Sequence, residues 1–180
     1  QTALLPPSAR PSRNSFVERN EIIARLGICS LNTAIEVDIY GHVNSTQICG
    51  TKMMNGLGGS ADFTNNAYLS IFTCGSAQKG GAISSIVPFA SHIDHTNHFI
   101  DAVITEYGVA DLRRKSDMQK AQELIKVAHP DYRPMLQDYL RFAQKNGGHT
   151  QHSLAAAFAM HDTFLRTGDM RNTNLAEYIK

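Results

Sequence analysis

Residues 50–70, GTKMMNGLGGSADFTNNAYLS, decide how the rest of the chain is read. Gly56, Gly58 and Gly59 fall within four positions, which frees the backbone for positive φ and lets main-chain N–H groups approach a ligand without side-chain obstruction. Ser60 or Asp62 can cap a helix running through Phe63, Ala67 and Leu69. The glycines then lie at its N-terminus, where unpaired N–H groups and the helix dipole favour a carboxylate, a phosphate or a developing oxyanion. Their spacing fits neither the dinucleotide fingerprint nor the phosphate loop. On composition alone the stretch reads first as a structural turn.

Upstream, Ile35, Val37 and Ile39 alternate with Glu36, Asp38 and Tyr40, and Gly41 supplies a turn before residues 42–46 return. That is the pattern of a β-hairpin with one buried face, and it makes Glu36 and Asp38 the polar side of the strand. Residues 28–31 form a candidate strand, preceded by a short helix over 18–26 that ends at Gly27, with Val17, Ile22 and Ile23 inward. Residues 1–15, QTALLPPSARPSRNS, carry three prolines and too little apolar surface for a core, so they read as an arm or linker.

Downstream, residues 69–74 form a buried strand, and GSAQKGG at 75–81 is a second glycine-rich loop with Lys79 among flexible positions. There an ammonium could meet a phosphate as a point charge. His92, His95 and His98 are three apart, but Pro88, Asp94 and Asn97 disfavour the helix that would align them as metal ligands, so structural hydrogen bonding accounts for them and no metal is expected. A strand over 99–105 delivers Glu106 at its C-terminal end, where open α/β sheets hold ligands or where the carboxylate can cap a turn at 109–112. Ser116 with Gln119 is a capping box before an apolar stripe of Met118, Ala121, Leu124, Ile125 and Ala128. Leu136, Tyr139, Leu140 and Ala143 mark a helix closed by Gly147-Gly148, and Leu154, Ala157, Phe158 and Leu165 a third over 153–166. The domain spans 16–168, and 169–180 is a polar tail expected to be loosely held.

Four stretches carry a resemblance: KMMNGLGGSADFTNNAYLSIF at 52–72, LNTAIEVDIYGHVNST at 31–46, VPFASHIDHTNHFIDAVITEYGVADLR at 87–113, and AHPDYRPMLQDYL at 128–140. Together, over about residues 21–148, they resemble the C-terminal half of the acetyl-CoA hydrolase/transferase family, class I CoA-transferases acting on acetate and succinate. The resemblance implies an α/β CoA-transferase fold with a largely parallel sheet flanked by helices. It implies coenzyme A as a substrate, with acyl-CoA and short carboxylic acids as partners in a glutamyl-CoA thioester cycle. It places Gly58 and Gly59 at the CoA and oxyanion site, Lys79 at the CoA site and Glu106 beside the thioester. Relatives often have a further lysine near position 75, where this chain has Gly75.

The family's nucleophilic glutamate matches no motif here, and the chain begins with Gln1 rather than Met. An N-terminal half, or another subunit of an oligomer, is therefore expected to supply it. The competing expectation is an accessory subunit that keeps the fold without turnover. The implied compartment is the mitochondrial matrix in a eukaryote or the cytoplasm in a bacterium, in keeping with three cysteines, odd in number and with no CxxC pair. A formal charge of +1 and no basic run longer than Arg113-Arg114-Lys115 argue against nucleic acid. No stretch approaches the roughly 18 apolar residues of a membrane span. At 180 residues one domain suffices.

Overall fold

The computed structural model describes residues 23–145 and 153–179. The expected arm at 1–15, most of the helix at 18–26 and Gly147-Gly148 lie outside them. Residues 23–26 are helical and stop at Gly27, whose φ of +60° ends the turn. The chain then runs through β1 (Cys29–Thr33), β2 (Glu36–Asp38), β3 (Val43–Asn44), β4 (Gln47–Ile48), β5 (Lys52–Met53), α1 (Ser60–Asn66), β6 (Leu69–Thr73), β7 (Ala77–Gln78), β8 (Ile83–Ser84), β9 (Ile86–Val87), β10 (Ala102–Thr105) and β11 (Gly108–Asp111). Helices α2 (Asp117–Val127), α3 (Arg133–Lys145), α4 (Leu154–Ala157) and α5 (Ala159–Thr167) complete it.

The main sheet has the order β1-β6-β10-β11, parallel across its first three strands and antiparallel at its last. This is an α/β fold with a mostly parallel sheet. Asn32, Phe72, Val103 and Ala110 line up across the strands on the face that meets the core. On that face Thr64 of α1 accepts from Asn32 Nδ2 at 3.1 Å, and Thr105 Oγ1 donates to Val127 O of α2 at 2.6 Å. The other face carries Thr33, Thr73, Ile104 and Val109 in one row and Leu31 and Ile71 in the next. Leu31 and Val109 are exposed there and Ile71 and Ile104 only half-buried, although parallel sheets ordinarily bury both faces.

Several local signals are met. Ser116 Oγ accepts from Gln119 N while Ser116 N donates to Gln119 Oε1 at 2.9 Å, closing the capping box, and Ala121, Leu124 and Ile125 are buried. Leu136, Tyr139, Leu140 and Ala143 are the buried residues of α3. The hairpin exists too, as β2 paired antiparallel with β3.

Its expected polar side does not. Strand β9 pairs with the other edge of β2 and every β2 residue is buried, including Glu36 and Asp38. Asp38 accepts from the backbone N–H groups of Tyr40, His42 and Ala90 and from His42 Nδ1 at 2.9 Å. Further expectations change. Helix α1 stops at Asn66, because Leu69 belongs to β6, and β6 alternates between half-buried and buried side chains. The segment expected as a turn at 109–112 is strand β11. The third helix breaks at Phe158 (φ −108°, ψ 12°), which turns Leu154 and Leu165 into exposed residues. The tail is not loosely held: Met170 is fully buried, donates its N–H to Ala82 O at 2.8 Å and accepts at Sδ from Ser84 N.

Candidate active site

Strand β10 ends in a tight turn that presents Glu106, and Thr105 fixes the turn by accepting from Tyr107 N while its hydroxyl holds α2. The Glu106 carboxylate is exposed but not free. Ser76, fully buried, donates its N–H to Oε2 at 2.8 Å and its hydroxyl to Oε1 at 2.6 Å. The Ser76 hydroxyl bond is the main reason the carboxyl lies below its usual range. An ionised carboxylate with both oxygens engaged accepts hydrogen bonds in a fixed orientation and is poorly suited to act as a general acid.

Lys79 follows β7 in a turn in which Lys79, Gly80 and Gly81 have φ of +50°, +64° and +92°. A non-glycine residue in the left-handed region costs of order 1 kcal/mol and persists only where its surroundings hold it. Here Tyr132 Oη donates to Gly81 O at 2.6 Å, and Lys79 Nζ sits 5.3 Å from the centroid of the Phe164 ring. Lys79, Glu106, Tyr107, His129, Asp131 and Arg171 line one open depression of about 580 Å³. Lys79 also borders a more apolar recess of about 390 Å³ walled by Ala34, Ile35, Ile48, Met54 and Ile83. The structure thus brings Lys79 and Glu106 to the lining of one polar hollow, with Lys79 also bordering an apolar slot.

The glycine loop is only partly engaged with these surfaces. Met54 and Asn55 wall the apolar recess, whereas Gly58 and Gly59 line neither hollow and are exposed. Gly58 takes φ of +59° and would have open space around a Cβ; Gly59, with φ of −93°, is the N-cap of α1. No side chain caps the helix, so the expectation for Ser60 or Asp62 fails. The Ser60 hydroxyl is used elsewhere, 2.9 Å from Leu57 O and 3.1 Å from His95 Nε2. Among the described residues no acceptor meets the Gly59 N–H.

Of the three histidines, His95 is buried and bonded to Ser60, His92 pairs with Asp94 at 3.2 Å, and His98 is exposed. Among the described residues no three His, Cys, Asp or Glu side chains are grouped to hold a metal ion. Burial pushes the Cys49 thiol up and the Cys74 thiol to about 12, so neither offers a thiolate nucleophile at neutral pH. Among the described residues no helix is long and apolar enough to cross a membrane. Two residues escape the sequence reading. Ser76 sits in a glycine-rich loop with nothing to mark it, and Arg171 lies in the supposed tail.

The C-terminal domain of the acetyl-CoA hydrolase/transferase family matches residues 7–140. The chain is 54% identical over 153 residues to a succinyl-CoA:acetate CoA-transferase of Clostridium kluyveri, covering 84% of this chain and 28% of that protein. It is 48% identical over 170 residues to an acetyl-CoA hydrolase of Candida glabrata, covering 88% and 32%. Among solved structures it resembles RipA from Yersinia pestis, with a TM-score of 0.61 at 27% identity over 73% of this chain and 29% of that one. The chain thus spans under a third of the length of these relatives.

Proposed function

Because the chain belongs to the acetyl-CoA hydrolase/transferase family, we propose that it forms the CoA-binding and oxyanion side of an acyl-CoA transferase or hydrolase, with the nucleophile supplied from outside it. The observation that carries this reading is the fate of the glutamates. Glu36 is buried and fully engaged, Glu123 pairs with Lys126 on the surface of α2, and Glu177 meets Asn174. Among the described glutamates Glu106 lines the polar hollow, and Ser76 occupies both its oxygens. Glu18 and Glu21 lie outside the described residues.

In the proposed cycle an external glutamate carboxylate attacks the acyl-CoA carbonyl. A C–O bond forms, the C–S bond breaks, and CoA leaves as its thiolate. The thiolate then attacks the glutamyl carbonyl of the mixed anhydride, releasing the first acid and leaving a glutamyl-CoA thioester. A second carboxylate, acetate or succinate in type, regenerates an acyl-CoA by the reverse sequence, whereas water releases free CoA. Each tetrahedral intermediate bears an oxyanion, and the unpaired Gly59 N–H is its proposed donor. Lys79 meets a CoA phosphate, with Gly58 leaving room for the backbone to approach. Glu106, held ionised by Ser76, orients groups around the thioester.

The test is reconstitution. The 180-residue chain alone should turn over neither acetyl-CoA with succinate nor acetyl-CoA with water. Supplying the remaining part of a closely similar transferase as a separate polypeptide should produce turnover that disappears when that polypeptide's candidate glutamate is changed to Gln. Robust turnover by the chain alone would overturn the reading and make Glu106 the first candidate nucleophile.

A further inference from the structure

We propose that Asp94 and His95 are positioning residues that clamp the two ends of the glycine loop, Asp94 through Thr46 at its entry and His95 through Ser60 at its exit. The inference rests on the reading of Gly59 as oxyanion donor and goes beyond it by naming what holds that donor in place.

The loop has little structure of its own. A Cβ at Gly56 or Gly58 would meet nothing within 4 Å, and Met53, Met54 and Leu57 are exposed. Its hold on the body lies at its ends. At the entry, Thr46 O accepts from Met54 N at 2.7 Å and from Asn55 N at 3.2 Å. Thr46 is itself fixed by Asp94, whose carboxylate accepts from the Thr46 hydroxyl at 2.9 Å and from Ser45 N at 2.8 Å. Burial would raise the Asp94 carboxyl, yet these donors outweigh it and hold it below its ordinary value.

At the exit the number of available protons decides which group donates. The Ser60 hydroxyl has one proton and lies within reach of Leu57 O and of His95 Nε2. A carbonyl oxygen only accepts, and we assign that proton to the shorter of the two contacts, Leu57 O at 2.9 Å rather than His95 Nε2 at 3.1 Å. With the hydroxyl proton on Leu57 O, His95 donates from Nε2 as the Nε2–H tautomer, the assignment that the ring-nitrogen measurement below tests. The ring is well placed to do so, being 3% exposed and 5.0 Å from the Phe72 ring of the central strand β6. Its backbone is bonded in both directions to Val43. Burial pushes its pKa down, which keeps it neutral with a single proton. Adjacent residues, both bonded through their backbone to Val43, therefore hold both ends of a loop that has few bonds of its own.

The test reads the loop first and the chemistry second. Amide hydrogen exchange at residues 56–60 is measured on the 180-residue chain for the parent, Ser60→Ala, His95→Gln and His95→Ala. Ser60→Ala removes one half-exposed hydroxyl, so the variant should fold even if His95→Ala does not. Exchange at 57–60 should rise about tenfold in Ser60→Ala and in His95→Ala, no further in the double variant, and less in His95→Gln, which keeps an N–H donor. Imidazole ¹⁵N shifts should report the Nε2–H tautomer. On the reconstituted transferase, Ser60→Ala should lower kcat several-fold and leave KM for acyl-CoA nearly unchanged. Exchange unchanged in Ser60→Ala, or a proton on Nδ1, overturns the clamp whatever the rate does. Faster exchange with unchanged acyl transfer upholds the clamp and overturns the oxyanion role of Gly59.

Discussion

Replacing His161 by Leu tests the buried pair that links β2 to α5. Glu36 on β2 and His161 on α5 are 4% and 5% exposed, and His161 Nε2 lies 2.9 Å from Glu36 Oε2. Glu36 Oε1 accepts from the Ser91 hydroxyl at 2.6 Å and from Ser91 N. Burial alone would raise the Glu36 carboxyl, but His161 and Ser91 outweigh it and hold it below its ordinary 4.5. His161→Leu fills similar volume and removes the first of those partners, leaving a buried carboxylate short of a donor. The molecule can relieve this by binding a proton, which sets a ceiling. At about 1.36 kcal/mol per unit, protonating a carboxyl of ordinary pKa 4.5 costs about 3.4 kcal/mol at pH 7 and about 0.7 kcal/mol at pH 5. That ceiling falls within the roughly 3–5 kcal/mol seen when one partner of a buried pair is removed.

The sign inverts with the substitution. In the parent the folded-state value is depressed, so Glu36 contributes stability above pH 4.5 that is lost as pH falls through the folded value. In the variant the folded value is raised, so stability falls as pH rises from 4.5. Urea unfolding followed by circular dichroism at pH 5.0 and 7.0, comparing His161→Leu with the double variant Glu36→Gln/His161→Leu, isolates the carboxyl, because those two proteins differ only at residue 36 and every other titration cancels. A loss of about 3 kcal/mol at pH 7 that shrinks to about 1 kcal/mol at pH 5 is expected. Equal losses at the two pH values, or under 1 kcal/mol at pH 7, would refute the argument.

Other outcomes follow from the candidate site. Lys79→Ala should weaken CoA binding to the reconstituted enzyme by up to about tenfold, the modest size reflecting its exposure, and unchanged affinity by calorimetry would assign Lys79 to solvent. Gly59→Ala should be tolerated, since φ is −93° and a Cβ would meet the Phe63 ring at an ordinary 3.6 Å. Gly59→Pro removes the N–H and should slow single-turnover acyl transfer by about a hundredfold to a thousandfold while CoA affinity changes less. With an intact melting transition, a chemical step within a few-fold of the parent would end the oxyanion role. Ser76→Ala removes the main donor depressing Glu106, so the Glu106 value should rise and the acid limb of the pH–rate profile should move to higher pH. An unmoved limb would detach Glu106 from the reaction.

Helix α2 with its Ser116–Gln119 box, the inward stripe of α3, the hairpin at Gly41 and the placement of Glu106 after a strand were all legible in the sequence. Each depends on side-chain periodicity or on hydrogen bonds spanning a few residues, so the chain segment contains its own reason. The family was legible as well, because its motifs are long and uninterrupted. What the sequence could not decide was the environment of groups whose partners are remote. Glu36 and Asp38 alternate with apolar residues and so look like the wet side of a strand. Yet His161 lies 125 positions from Glu36, Ser91 lies 55 from Glu36, and Ala90 lies 52 from Asp38. Helix α1 yields at Asn66 because residues 69–73 gain more from pairing with β1 and β10 than from one further helical turn. Ser76 became visible only once the turn after β10 came within reach of its hydroxyl. The tail packs because Met170 finds β8, a partner no local pattern announces. A polar group is tolerated in a core only when distant donors and acceptors converge on it, and that convergence exists in three dimensions alone.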